Sequence, residues 1–360
     1  MTSVSAVANQ YTAMLVVDQH RRGPDYGTGS VLDSFTKVII VDCSESICDA
    51  DYETAFDAAL PLVDLIVVGA WTRRMPRFDE SRYLAAAKLK SIAGTFDNRF
   101  GHWIDIDEAA SHNVVVIDTS RSMTPTVAEF ALAMTLNVIR DISTAVQLVR
   151  EGGWQSEHWD QPGYVFGDLT GRRVGLAGFG VINRRYTELL APFHCEVTTF
   201  DPFVDDEVLD AANVSRADSL VELAADSEIF VIGIPPTPAT QGIISADVID
   251  ALPPGSTLIL VTRMAVVEQE PLWRRTQAGE IRAAIDVFDP EPPPADAWFR
   301  KSPYVFATPH MAGNTSVCHR RCFTIAASEG LNVLLGEPIS YAVSARDAKL
   351  YDGDVVSRTT

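Results

Sequence analysis

The 360 residues suffice for about two domains of ordinary size, and a 47% share of hydrophobic residues suffices to fill their cores. Against 29 Lys+Arg stand 48 Asp+Glu, a net charge of −19, which excludes nucleic acid and anionic membrane as partners because both require a basic surface. No apolar run reaches the roughly 18 residues of a membrane span, and residues 1–10 lack the features of a signal peptide. The five cysteines fit no zinc or disulfide spacing, so no metal and a reducing, cytoplasmic setting are expected.

In chain order, residues 13–17 read as a short strand, followed by a turn over 21–25. Residues 37–42 read as a buried strand, 52–62 as a helix, 64–69 as a strand, 80–87 as a helix, 89–94 as a strand, 107–111 as a short helix and 114–117 as a strand. Strands that alternate with helices imply a parallel, doubly wound sheet. A single long helix is expected over 126–149, since Val127, Phe130, Ala131, Met134 and Val138 recur at helical spacing. After a loop over 151–170 the alternation restarts: strand 173–177, helix 181–190, strand 196–200, then strands near 229–234, 257–261, 283–286 and 304–308. The tail from Asp347 is polar.

The sharpest local signal is Gly178, Phe179, Gly180, Val181, Ile182 and Asn183, directly after a strand and opening a helix. This is a G-x-G-x-x-G fingerprint with Asn in place of its last glycine. Gly178 permits the tight turn. Gly180 lets the backbone, with Val181 and Ile182, approach a pyrophosphate at the positive end of the helix. Asp201 ends the next strand, where a carboxylate accepts the ribose hydroxyls and repels a 2′-phosphate; Pro202 and Phe203, not a cation, follow it. The dinucleotide expected is therefore NAD rather than NADP.

Further blocks accompany the fingerprint: TVAEFALA at 126–133, Gly153 with Trp154 and then LTGRRVG at 169–175, IPPTPAT at 234–240, RMAVVE at 263–268, AIDVFDPEP at 284–292 and TPHMAG at 308–313. In this order and spacing they resemble the D-isomer-specific 2-hydroxy acid dehydrogenases, over most of residues 85–340. The resemblance implies an α/β fold of two doubly wound parallel-sheet domains with the cleft between them. A Rossmann NAD-binding domain, 139–314, would be inserted in a discontinuous flavodoxin-like substrate domain, 1–138 plus 315–360. It implies hydride transfer between NAD(H) and a small 2-hydroxy or 2-oxo acid, in a homodimer.

By the same resemblance Arg263 is the cation that binds substrate carboxylate and carbonyl. His310 is the acid/base, and Glu291 bonds and orients its imidazole. Asp286 holds the nicotinamide carboxamide. Ile234, Pro235, Val261, Thr262, His310 and Gly313 line the cofactor, and backbone amides of the loop at 93–96, with Gly94 and Thr95, meet the substrate carboxylate.

Three departures stand out. Residues 94–105 carry an insertion relative to the family's G-V-G-x-D-N-I-D stretch. Its Arg99 and His102, with Arg73 and Arg74 from another strand end, leave two readings open. One is a basic subsite for a second anionic group, walled by Phe96, Phe100 and Trp103; the other is a solvated loop with aromatic packing. Leu260 stands where the family carries Asn, and Asn183 where it carries Gly. The runner-up function is an NAD(H)-binding sensor or corepressor-like scaffold, since such corepressors share this fold and trio.

Overall fold

The computed structural model describes residues 10–21, 32–69, 75–96, 100–154 and 167–344. The chain divides into two compact units. The first takes the described residues up to Met123 and those from Asn314; the second is Thr124–Gly313.

The first unit holds β1 (Thr12–Val17), β2 (Lys37–Asp42), β3 (Leu65–Val68), β4 (Ser91–Gly94) and β5 (Val115–Asp118). Their order is β2-β1-β3-β4-β5 and every pairing is parallel, the flavodoxin-like arrangement. Successive side chains of a strand point to opposite faces. Met14 and Val16 accordingly join one core with Phe56 and Phe78. Ala13, Leu15 and Val17 join another with Phe323, Ala326 and Leu331 of the C-terminal helix Ser316–Leu335. Both faces of the sheet are covered, which is why its central strands are apolar without alternation. Helix starts are locally encoded: Asp79, Asp105 and Thr315 each accept the amide three residues on.

The second unit holds β6 (Arg173–Ala177), β7 (Glu196–Phe200), β8 (Ser215–Arg216), β9 (Ile229–Ile232), β10 (Thr257–Leu260), β11 (Arg282–Ile285) and β12 (Val305–Ala307). The order is β12-β11-β10-β9-β6-β7-β8, again all parallel. Counted within the unit this is the Rossmann order with one further strand, and the winding reverses between β6 and β9. The two doubly wound sheets anticipated from the sequence are therefore present.

The second unit departs from expectation in its first helices. The helix expected over 126–149 is two helices, Thr124–Arg140 and Ile142–Arg150, broken at Asp141, whose φ is 49°. Arg282, on β11, donates to the Val138 carbonyl at 3.2 Å and lies 4.0 Å from the Asp141 carboxylate. A buried cation at the last turn favours ending the helix there. The domain boundary expected at 138/139 falls instead at Met123, because the helix Thr124–Arg140 packs on the helix Val181–Leu190 and on β10 and β11. Thr135 and Tyr186 share a buried hydroxyl hydrogen bond of 2.8 Å across that packing. The short helices Asp206–Ala212, Leu220–Ala225, Ala246–Ala251 and Gln269–Gln277 were not anticipated; each is too brief to establish a periodic stripe. Among the described residues no helix is long and apolar enough to cross a membrane.

Candidate functional site

In the second unit the expected cofactor and catalytic residues follow the carboxyl ends of parallel strands. Gly178 follows β6, Asp201 follows β7, and Ile234 and Pro235 follow β9. Val261, Thr262 and Arg263 follow β10, Asp286 follows β11, and His310 and Gly313 lie just past β12. In an open α/β sheet this edge, at the reversal of strand order, is where ligands bind.

The glycine turn suits a dinucleotide. Gly178 has φ +86°, a conformation that L side chains rarely adopt, and a side chain at Gly180 would point into open space. Gly180 caps the helix Val181–Leu190 without a side-chain hydrogen bond. No described group accepts the amides of Val181, Ile182 or Asn183, so this end is equipped for an anion. Asp201 accepts from the amides of Phe179 at 2.8 Å and Phe203 at 2.9 Å. Arg216 escaped the sequence reading. It donates to the Asp201 carbonyl, the Val204 carbonyl and the Asp206 carboxylate, each at 2.7 Å. Phe203 is 82% exposed.

His310 and Glu291 are brought together: Nδ1 and Oε2 lie 2.7 Å apart, and Glu291 Oε1 accepts the Phe288 amide at 2.7 Å. Burial works to raise the Glu291 carboxyl. The His310 hydrogen bond, the Phe288 amide and the charges of His310 and Arg263 outweigh it, and the net direction is below the ordinary 4.5. Arg263 is half-buried, and its Nη1 donates to the Thr262 carbonyl at 2.7 Å. A depressed folded value contributes stability that is complete above the unfolded value and lost as pH falls through the folded one. The stability gap between wild type and Glu291→Gln should therefore hold steady near neutrality and narrow below about 4.5. Denaturant midpoints measured across that range check this; a gap that persists unchanged in acid would mean that the ionised Glu291 carboxylate does not stabilise the fold.

Asp286 is fully buried. Its Oδ1 accepts from Thr308 Oγ1 at 2.5 Å and the Met311 amide at 2.9 Å, and its Oδ2 from the Ala312 amide at 2.8 Å. The carboxylate that the resemblance places on the nicotinamide thus ties down the turn carrying His310, whose φ is +50°. The position after β11 was legible, but the direction of the side chain was not.

In the first unit, Thr95 is buried with Oγ1 2.8 Å from Thr119 Oγ1, and Thr119 also donates to the Gly94 carbonyl at 3.1 Å. Asp118 accepts the Phe96 amide at 3.1 Å, which takes that donor out of the expected set for a substrate carboxylate. No described group accepts the Thr95 amide. Phe96 and Phe100 are buried with the first unit's core, Trp103 is half-buried, and His102 is exposed. Arg73, Arg74 and Arg99 lie outside the described residues. Asp118 and Thr119 had a local signal, the Asp-Thr-Ser run that begins at the last residue of β5, which favours side-chain-capped turns. Among the described residues no group of His, Cys, Asp and Glu could hold a metal ion.

Comparison with known proteins agrees with this architecture. Residues 132–312 match the family model described as D-isomer specific 2-hydroxyacid dehydrogenase, NAD binding domain. The chain is 29% identical over 289 residues to D-3-phosphoglycerate dehydrogenase of Archaeoglobus fulgidus, covering 79% of this chain and 52% of that protein. It is 31% identical over 215 residues to a putative 2-hydroxyacid dehydrogenase of Bacillus subtilis, 59% of this chain and 61% of that one. The chain spans about half the length of the phosphoglycerate dehydrogenases it matches. Among solved structures, apo D-mandelate dehydrogenase of Rhodotorula graminis superposes with TM-score 0.76 at 20% identity, over 93% of this chain and 97% of that one. The second unit is an NAD-binding domain, and the chain belongs to the D-isomer specific 2-hydroxyacid dehydrogenase family.

Proposed function

We propose that the chain catalyses NAD(H)-dependent oxidation or reduction of a small 2-hydroxy or 2-oxo acid, with His310 as acid/base and Arg263 as the carboxylate and carbonyl binder. The observation that carries this reading is the 2.7 Å His310–Glu291 pair, with the Arg263 charge acting on the same carboxylate. NAD(H), when bound, would donate the hydride in reduction and accept it in oxidation. Glu291 accepts the Nδ1–H hydrogen bond, which fixes the tautomer and leaves Nε2 to exchange the proton of the substrate oxygen. The Arg263 guanidinium, with its donors in a rigid fork, balances the substrate carboxylate and the charge that grows on the carbonyl oxygen. Gly178, Gly180, Val181 and Ile182 receive the pyrophosphate, and Asp201 receives the ribose.

The Asp201 assignment has its own consequence. Asp201→Asn removes the charge that repels a 2′-phosphate and leaves Arg216 beside it. The preference for NADH over NADPH should fall about tenfold or more. Paired titrations of the two cofactors measure it, and unchanged discrimination would remove Asp201 from the ribose site.

A second anionic group on the substrate and a homodimer are part of the proposal; similarity to 3-phosphoglycerate dehydrogenases supports the former. The test is NADH oxidation against glyoxylate, pyruvate, oxaloacetate, 2-oxoglutarate, hydroxypyruvate and its phosphate, and phosphonopyruvate, with NADH binding titrated in parallel. Turnover of a dianionic acid above the simple ones is expected. NADH binding without turnover on any of them would favour a sensor instead.

A further inference from the structure

Asn183 occupies the fingerprint's third glycine position and is 1% exposed. Its Nδ2 donates to the Gly178 carbonyl at 2.7 Å. That carbonyl and the Phe179 N–H belong to one peptide unit, and the N–H is held by Asp201 Oδ2 at 2.8 Å. A single peptide plane is thus gripped at its oxygen by Asn183 and at its hydrogen by Asp201. The plane lies at the mouth of the amides that face the pyrophosphate. With a flexible glycine on one side, an unrestrained plane can rotate and turn its carbonyl toward the anion, which would repel it.

The room for Asn183 comes from the opposite side of the helix–sheet contact. A Cβ on Gly233, just past β9, would lie 2.3 Å from Asn183 Nδ2, 2.6 Å from Cγ and 2.9 Å from Oδ1. Gly233 donates to the Ala177 carbonyl at 2.9 Å, so its backbone is fixed next to β6. In the ordinary fingerprint the third glycine lets helix and strand approach closely. Here the missing side chain is on the strand and the helix carries the bulk.

We infer that Asn183 and Gly233 form an exchanged pair, and that Asn183 is a positioning residue whose amide clamps the Gly178–Phe179 peptide for cofactor binding. The inference rests on the cofactor reading above. It has a consequence opposite to the one a family pattern suggests: restoring glycine by Asn183→Gly weakens NADH binding, by about tenfold for one lost buried hydrogen bond. Asn183→Asp keeps the shape but replaces the donor by a carboxylate oxygen, and weakens binding at least as much.

The experiment is NADH titration by fluorescence, with thermal melting alongside, on wild type, Asn183→Gly, Asn183→Asp, Gly233→Ala and the double variant Asn183→Gly/Gly233→Ala. Gly233→Ala alone should lose most NADH affinity and lower Tm through the clash. The same change in the Asn183→Gly background should cost little in either readout. KM for NADH should rise in Asn183→Gly while KM for the oxo acid stays put, a split that general loosening of the fold would not give. Wild-type affinity in both Asn183→Gly and Asn183→Asp overturns the clamp. Equal damage from Gly233→Ala in both backgrounds overturns the exchange. If wild type itself fails to bind NADH, the cofactor reading fails, and the Tm comparison still decides the Asn183–Gly233 packing.

Discussion

Replacing His310 by Asn should cut kcat about a thousandfold while leaving NADH affinity within a factor of about two, since general acid–base catalysis supplies roughly 10²–10⁴-fold. The choice of Asn follows from the backbone. His310 sits at φ +50°, a left-handed conformation that Asn tolerates better than most residues. His310→Asn therefore removes the imidazole without straining the turn held by Asp286. His310→Ala adds about 1 kcal/mol of backbone strain to the same chemical loss, so it should resemble His310→Asn in kcat and melt lower. Single-turnover rates with saturating NADH, beside NADH titration, separate the two effects. If His310→Asn turns over at the wild-type rate, the proton comes from elsewhere. If it loses NADH binding instead, the histidine belongs to the cofactor site and not to proton transfer.

The two variants differ because the turn is organised by atoms far apart in sequence, and the same distinction governs what the sequence disclosed. Strands 173–177 and 196–200 and the helix at 181–190 were legible to their observed ends, because the glycine turn between them is a local event with a local signature. The break at Asp141 was not legible. Nothing near it in sequence interrupts the apolar period, and the cation that favours the break, Arg282, comes from β11. Asp286 shows the same limit at the site. Its place after a buried strand was readable, but its three donors, Thr308, Met311 and Ala312, belong to the loop after another strand. Asn183 read as a missing glycine because its compensation, Gly233, lies across the helix–sheet contact. Phe96 and Phe100 admitted two readings, pocket wall or aromatic packing, and both are buried with the first unit's core; aromatic residues in a polar insertion satisfy either reading until burial is known.

Arg263 answers a problem set by the whole chain. A net charge of −19 opposes the approach of an anionic acid, so the site must reverse the sign of the field locally. On the proposed reading that cation is Arg263, just past β10; its Nη1 donates to the Thr262 carbonyl at 2.7 Å, and its charge also helps to keep Glu291 below the ordinary carboxylate value. Arg263→Ala should lower kcat/KM for the preferred 2-oxo acid about a thousandfold, given what the loss of one donor to a developing oxyanion costs. The loss should divide between the two constants. KM rises because the ground-state carboxylate loses its cation, and kcat falls because the carbonyl oxygen loses its donor as charge grows on it. Arg263→Lys keeps the charge but not the planar fork; KM should recover more than kcat does. NADH affinity should be unchanged in both variants. Full recovery of kcat in Arg263→Lys would mean that a point charge suffices and that the fork geometry has no part in the reaction. Loss confined to NADH binding would place Arg263 on the cofactor and leave the substrate carboxylate to another cation.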